Sequence, residues 1–291
     1  LRGEVSMGSV HPRFARAYLE ITNCCNLACA FCHGTARAMK VMRAEEFELL
    51  TDRLQGQAEY LYFHLLGEPL THPLLPEFIR SAAGKGFRPM LTTNGTLLPE
   101  RSAALLETPL YKISISLHAP EGNGVFAGPE YLAGCTEFAR RASDAGIITV
   151  LRLWNLGGME NDNNTILDTL HREFPGPWNE IRSGYRLKEK VFLEWGQKFD
   201  WPDLALPEIG REFFCYGLRD QIGILADGTV VPCCLDAEGA ISLGNLFDST
   251  LEDILSSPRA KALYDGFTKH FAAEALCRRC GYAALKEYHK G

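Results

Sequence analysis

The chain has 291 residues, 46% of them hydrophobic, with 30 Lys and Arg against 36 Asp and Glu (formal net charge −6) and 10 cysteines. That length suits one large domain, or a large one with a small one, and supports a core that needs neither metal nor disulfide for its bulk stability. The mildly acidic balance argues against a dedicated nucleic-acid groove or an anionic membrane surface as partner, and no apolar stretch reaches the length of a bilayer span.

The opening segment LRGEVSMGSVHPRF has no apolar run, so no secretory signal is expected, and Met7 is a candidate natural start after Leu1–Ser6. A cytoplasmic setting follows as the expectation. In that reducing compartment, clustered thiols bind metal or do redox chemistry rather than form disulfides.

Taken in chain order, residues 17–187 alternate. Ala17–Ile21 reads as a strand and is followed by a cysteine loop. Arg43–Leu54 has helical spacing of Phe47, Leu50 and Leu54, with Thr51 and Asp52 on the polar side. The predicted strands that follow are Tyr60–Leu66, Arg88–Thr92, Tyr111–Leu117 and Ile147–Leu153, with a weaker one within Gly184–Trp195. Between them lie predicted helices Leu74–Lys85, Pro99–Glu107, Glu130–Ala145 and Asn163–Phe174. Strands alternating with helices, and apolar on both faces, imply βαβ units and a covered parallel sheet. From Cys215 the pattern changes to a hairpin, Ile222–Val231 with its turn at Asp227-Gly228, then helices near Leu251–Leu255 and Arg259–Phe267. Pro202 and Pro207 mark a linker, which places a boundary near residue 200. The expected organisation is therefore an N-terminal extension (1–16), an α/β domain (17–200) and a small C-terminal domain (201–291).

The first cysteine loop contains Cys25, Cys29 and Cys32, spaced Cys-x3-Cys-x2-Cys directly after a strand. Three thiols in eight residues can converge on one iron–sulfur centre. A structural zinc site would want four ligands, and the adjacent His33 makes a strained fourth. Three protein ligands on a four-iron cluster leave one iron open, as a catalytic site requires. Cys24 lies off the spacing and reads as a buried free thiol.

This loop and four further segments resemble the radical S-adenosylmethionine (SAM) superfamily: Leu66-Gly67-Glu68-Pro69-Leu70, Leu91-Thr92-Thr93-Asn94-Gly95, Ile113-Ser114-Ile115-Ser116-Leu117-His118 and Leu151-Arg152-Leu153. Leu66 stands where that family usually has a first glycine. All five fall at C-terminal strand ends, the active face of α/β barrels. The resemblance implies a partial (β/α)6, TIM-like barrel of the α/β class, with a SAM-binding [4Fe-4S] cluster on Cys25, Cys29 and Cys32. It also implies SAM contacts at Gly67 and Glu68 (ammonium), Ser116 and Arg152 (carboxylate), Thr93 or Asn94 (ribose) and Phe31 (adenine). His118 is a candidate proton donor or acceptor at the barrel mouth.

The second set is Cys215, Cys233 at the hairpin end, and Cys277 with Cys280 as Cys-x2-Cys. Four thiolates saturate an iron–sulfur cluster and equally fit a zinc ribbon. Cys-x12-Gly-x4-Cys ahead of Leu243-Gly244-Asn245 and the closing Cys-x2-Cys is similar to the SPASM/twitch domains of radical SAM enzymes. The shorter twitch form, an α+β unit with one auxiliary [4Fe-4S] cluster, fits best, with Cys234 left as a spare. The implied function is hydrogen abstraction from a substrate by a 5′-deoxyadenosyl radical. A two-electron oxidation of a small molecule then follows, with the auxiliary cluster as acceptor and an external one-electron reductant such as flavodoxin or ferredoxin. Modification of a ribosomally made peptide is the alternative, and a non-enzymatic electron carrier or zinc-stabilised scaffold a third. Arg186, Glu194 and Tyr60 are candidates for base or substrate contact.

Overall fold

The computed structural model describes residues 13–288; the expectations for residues 1–12 fall outside it. Five β/α units come first: β1 (Phe14–Leu19), α1 (Ala44–Leu54), β2 (Ala58–Tyr62), α2 (Leu75–Gly84), β3 (Arg88–Thr93), α3 (Leu98–Leu106), β4 (Lys112–Ser116), a one-turn α4 (Ala119–Gly122), α5 (Pro129–Asp144), β5 (Ile148–Leu156) and α6 (Asn163–Glu173). Then come β6 (Asn179–Ile181), β7 (Gly184–Lys188), β8 (Val191–Gln197), β9 (Gln221–Ile224), β10 (Thr229–Val231), β11 (Gly244–Asn245), α7 (Leu251–Ser256), α8 (Pro258–Thr268) and α9 (Gly281–Tyr288).

All strands join one sheet in the order β11-β10-β9-β1-β2-β3-β4-β5-β8-β7-β6. The run from β9 through β1–β5 to β8 is parallel throughout. This is the mixed α/β architecture of a partial TIM-like barrel. The weak strand expected within 184–195 is in fact two strands. β8 is the sixth barrel strand, and β7 folds back on it in an antiparallel hairpin. The C-terminal hairpin does not stand apart from the barrel sheet, because β9 pairs parallel with β1 (Arg16 opposite Gln221, Leu19 opposite Ile224).

One face of the sheet is as apolar as its sequence. Ala17, Leu19, Leu61, Leu91, Ile113, Ile115, Leu151, Leu153, Val191 and Leu193 are buried in the main core. Helix residues such as Phe47, Leu50, Phe78, Ile79 and Phe138 share that core, and the Phe47 and Phe78 rings stack at 3.9 Å. Each large apolar side chain buried there contributes about 1.5–3 kcal/mol. Thr51 is buried rather than on the polar side of α1, because its hydroxyl donates back to the Phe47 carbonyl (2.8 Å).

The other face departs from the expectation of apolar runs on both sides. The period-2 alternation of β strands turns Tyr18, Tyr62, Thr92, Lys112, Ser114, Ser116, Arg152 and Glu194 into the barrel lumen. Cross-strand register sets Ser116 beside Arg152 and Arg152 beside Glu194. Among the described residues, no helix is long and apolar enough to cross a membrane.

Candidate active site and a second cysteine cavity

The cysteine loop leaves β1 through Glu20, whose fully buried carboxylate accepts two hydrogen bonds from Arg37 (2.8 and 2.9 Å). Arg37 also donates to the Ala237 carbonyl, so one guanidinium ties the loop to the barrel and to the C-terminal lobe. Asn23 closes the loop base by donating to the Ala38 carbonyl and accepting from the Lys40 N–H. Between these anchors Cys25 and Cys32 are exposed and Cys29 is half-buried, its thiol donating to the Ala119 carbonyl (3.4 Å). Burial, then the neighbouring thiols, push Cys29 up to about 11.

Gly67 lets the segment after β2 press against this loop. Its φ is +75°, and an added Cβ would collide with the Thr22 carbonyl oxygen. Only glycine meets both demands at no steric cost. Glu68 is buried, and its carboxylate accepts from the Leu70 N–H (3.0 Å), the Thr93 hydroxyl (2.7 Å) and the Asn94 N–H (2.7 Å). It therefore joins the ends of β2 and β3. Asn94 in turn donates to Asn26 in the cysteine loop (2.9 Å). On the opposite side Gly122 of α4 leaves the space that the Phe31 ring fills, and its carbonyl accepts from Ala30.

These elements enclose a cavity of about 440 Å³ lined by Cys25, Cys29, Cys32, Phe31, Gly67, Glu68, Thr93, Asn94 and Ser116, together with His64, Thr92 and Trp201. That volume is in the range of small-molecule sites. Nine of the ten residues expected at the cluster and SAM site line it. Arg152 is not among the lining residues; it lies beside Ser116, its partner across β4 and β5. His118 is buried, with Nδ1 within 3.2 Å of the Arg152 carbonyl and its ring against Phe31 at 4.9 Å. Burial lowers it to about 4, so it stays neutral and props Phe31 and the β4–β5 join. His33 contacts the carbonyl of its own neighbour, Gly34. Cys24 is half-buried rather than buried, and does not line the cavity.

Of the three base or contact candidates, Glu194 faces the lumen. Tyr60 accepts from Arg88 (3.1 Å) near the opposite, N-terminal end, and Arg186 is exposed on β7. Sequence reasoning missed His64 and Trp154. Neither belongs to a motif, and only the two-residue period of their strands marks them as facing inward.

Cys215, Cys233, Cys277 and Cys280 line a second cavity of about 40 Å³, walled by Phe213, Phe267, Leu276 and other apolar groups. Cys233 lies just past β10, and Cys277 and Cys280 bracket a single 3₁₀ turn. Burial and mutual repulsion raise Cys233 and Cys277 well above the usual thiol range, and burial pushes Cys280 up to about 11. Thiols gathered in a largely apolar pocket are suited to a metal centre that would hold them as thiolates. Among the described residues no three His, Cys, Asp or Glu side chains are arranged for a single ion. The chemistry of both donor sets, three thiols beside a roomy cavity and four half-buried ones around a small one, fits two iron–sulfur clusters, one with an open side. Cys234 turns the opposite way from Cys233 and packs with Tyr18, Tyr62 and Leu65 on the barrel side.

The radical SAM superfamily model matches residues 19–170, and an iron–sulfur cluster-binding domain model, SPASM, matches residues 215–281. The chain is 25% identical over 300 residues to the antilisterial bacteriocin subtilosin biosynthesis protein AlbA of Bacillus subtilis, covering 94% of this chain and 66% of AlbA. It spans between 27% and 44% of the other curated relatives compared. Among solved structures, BtrN in complex with AdoMet and 2-DOIA is similar with a TM-score of 0.59 at 18% identity, covering 92% of both chains. SuiB of Streptococcus suis bound to S-adenosylmethionine is similar with a TM-score of 0.58 at 14% identity, covering 94% of this chain and 75% of SuiB. At these identities the two structures bear on the fold alone.

Proposed function

The chain belongs to the radical SAM superfamily and carries a SPASM domain, and from that premise we propose that it oxidises a small molecule held in the barrel lumen. Its cofactors are [4Fe-4S] clusters and SAM. When bound, they supply a 5′-deoxyadenosyl radical at the barrel mouth and an electron acceptor in the C-terminal lobe. In this reading Cys25, Cys29 and Cys32 hold the first cluster, and Cys215, Cys233, Cys277 and Cys280 the second. We keep the division at 17–200 and 201–291 for the two units.

The remaining roles fall on the protein's own groups. Gly67 offers main-chain carbonyl surface beside the cysteine loop, while the Glu68 side chain, spent on Thr93, Asn94 and Leu70, holds that surface in place. Phe31 closes one wall of the cavity and Ser116 marks its floor toward the lumen. Glu194, 23% exposed within the lumen, is placed to take a proton from a substrate. The observation that carries the reading is the continuous path of inward-facing residues from the three thiols, past Ser116, to Glu194.

A peptide substrate is the second reading. It is favoured by the similarity to AlbA over 94% of the chain and by SuiB having been crystallised with its precursor peptide SuiA. An external one-electron reductant is part of either.

The test is anaerobic reconstitution, reduction and incubation with SAM. Formation of 5′-deoxyadenosine and methionine, with about eight irons and matching sulfide per chain, is expected. Zinc without sulfide, or no SAM cleavage, would overturn the proposal.

A further inference from the structure

The lumen holds buried polar groups that the rest of the protein does not satisfy. Arg152 Nε is sealed from solvent without a hydrogen-bond partner, and its nearest carboxylate oxygen, on Glu194, is 3.9 Å away, beyond bonding range. Three more sealed atoms lack partners on the same inward face: His64 Nδ1, Thr92 Oγ1 and Trp154 Nε1. The Arg152 guanidinium lies 4.4 Å from the centre of the Trp154 ring. His64 and Thr92 line the floor of the 440 Å³ cavity, while Trp154 and Tyr282 line a neighbouring cleft of about 590 Å³. Arg152 joins the two linings, beside Ser116 of the first and over the Trp154 ring of the second.

Charge points the same way as geometry. Lys112 and Arg152 are two cations sharing the field of Glu194, which leaves one positive charge uncompensated. Arg16, beside Tyr18 and Tyr62, adds another at the lower end. His64 adds none. Burial, then Arg152, lowers it to about 3, so it meets a ligand as a neutral ring. Burying an unpaired cation is costly unless something of opposite charge completes it. A guanidinium with a free Nε is built for planar, two-point contact with a carboxylate.

We propose that the lumen beside Arg152 is a subsite for a carboxylate on the substrate, and that Arg152 is a specificity-determining residue rather than a SAM contact. This rests on the reading that the lumen holds the substrate. The carboxylate comes either from a free small acid or from an acidic residue of a peptide, and the two arms of the test separate them.

The holoprotein, reconstituted anaerobically and saturated with SAM, is titrated calorimetrically with glutarate and with neutral glutaramide. A second arm uses the amide-capped peptides Gly-Glu-Gly and Gly-Gln-Gly. One or both carboxylates should bind at least about tenfold more tightly than their neutral partners, and Arg152→Gln should remove that preference. In the same variant SAM affinity should stay within about twofold of the parent. Glu194→Gln, which deletes the competing carboxylate, should tighten carboxylate binding about threefold, and it carries the test if Arg152→Gln fails to fold. Equal binding of charged and neutral probes, binding of neither, or loss of SAM affinity in Arg152→Gln with carboxylate preference intact would each overturn the inference. 5′-Deoxyadenosine formation by the reduced parent is measured alongside. Its absence would sink the proposed function, whereas the binding preference reads the subsite alone.

Discussion

The Glu68 carboxylate accepts a 2.7 Å hydrogen bond from the Thr93 hydroxyl, so one side chain in the segment after β2 positions the end of β3. The same carboxylate takes the Asn94 main-chain N–H, also at 2.7 Å. Glu68→Gln offers one acceptor oxygen where the carboxylate has two, leaving a buried donor unpaired. A loss of about 1–3 kcal/mol in urea unfolding is expected, with weaker SAM binding by equilibrium dialysis. Unchanged stability and affinity would mean that the network can re-form around an amide.

Gly67→Ala should act locally. The positive φ and the collision with the Thr22 carbonyl together displace the cysteine loop. Iron content after reconstitution is expected to fall from about eight to about four per chain, because the C-terminal cysteines are untouched. A full complement in this variant would show that the loop tolerates the displacement.

Neighbouring cysteines should behave as opposites. Cys233 lines the second cavity, while Cys234 packs against Tyr18 and Tyr62. Cys233→Ser should lower iron and sulfide by about half, and Cys234→Ser should leave both at the parent level. Equal losses in the two variants would place both thiols at the same centre.

Stability should fall with acid before the carboxylates titrate. His64 and His118 are lowered from 6.5 to about 3 and about 4, chiefly by burial. Between those values and 6.5 the unfolded chain binds protons that the folded one refuses. Unfolding free energy therefore rises with pH across that window and is lost as pH drops through it. Each histidine contributes a slope of about 1.4 kcal/mol per pH unit where its shift is fully expressed. Urea unfolding from pH 7 to pH 4.5 measures it, and His64→Gln should reduce the slope; an identical slope would remove His64 from the account.

Local chemistry made much of this protein legible before folding. The thiol spacing of Cys25, Cys29 and Cys32 is a contiguous signal, as is the Gly67-Glu68-Pro69 segment. The helix and strand periods placed β1 to β5 within a few residues of where they lie, since each reports a short-range preference. Roles that depend on one residue's neighbours across the barrel were not legible. Thr51 reads as polar until its hydroxyl is seen bonded to its own helix, and β9 reads as part of a separate lobe until it docks on β1.

The amino-acid order by itself determined the superfamily, the two groups of cysteines and the α/β alternation, because spacing along a chain limits which thiols and turns can act together. Tertiary structure alone decided that Arg152 turns into the lumen beside Ser116, that Cys233 and Cys234 serve opposite sides, and that Lys112, Arg152 and Glu194 share one face of the sheet. Those outcomes follow from strand register and burial, which bring together groups dozens of residues apart and give each a partner, or leave it without one.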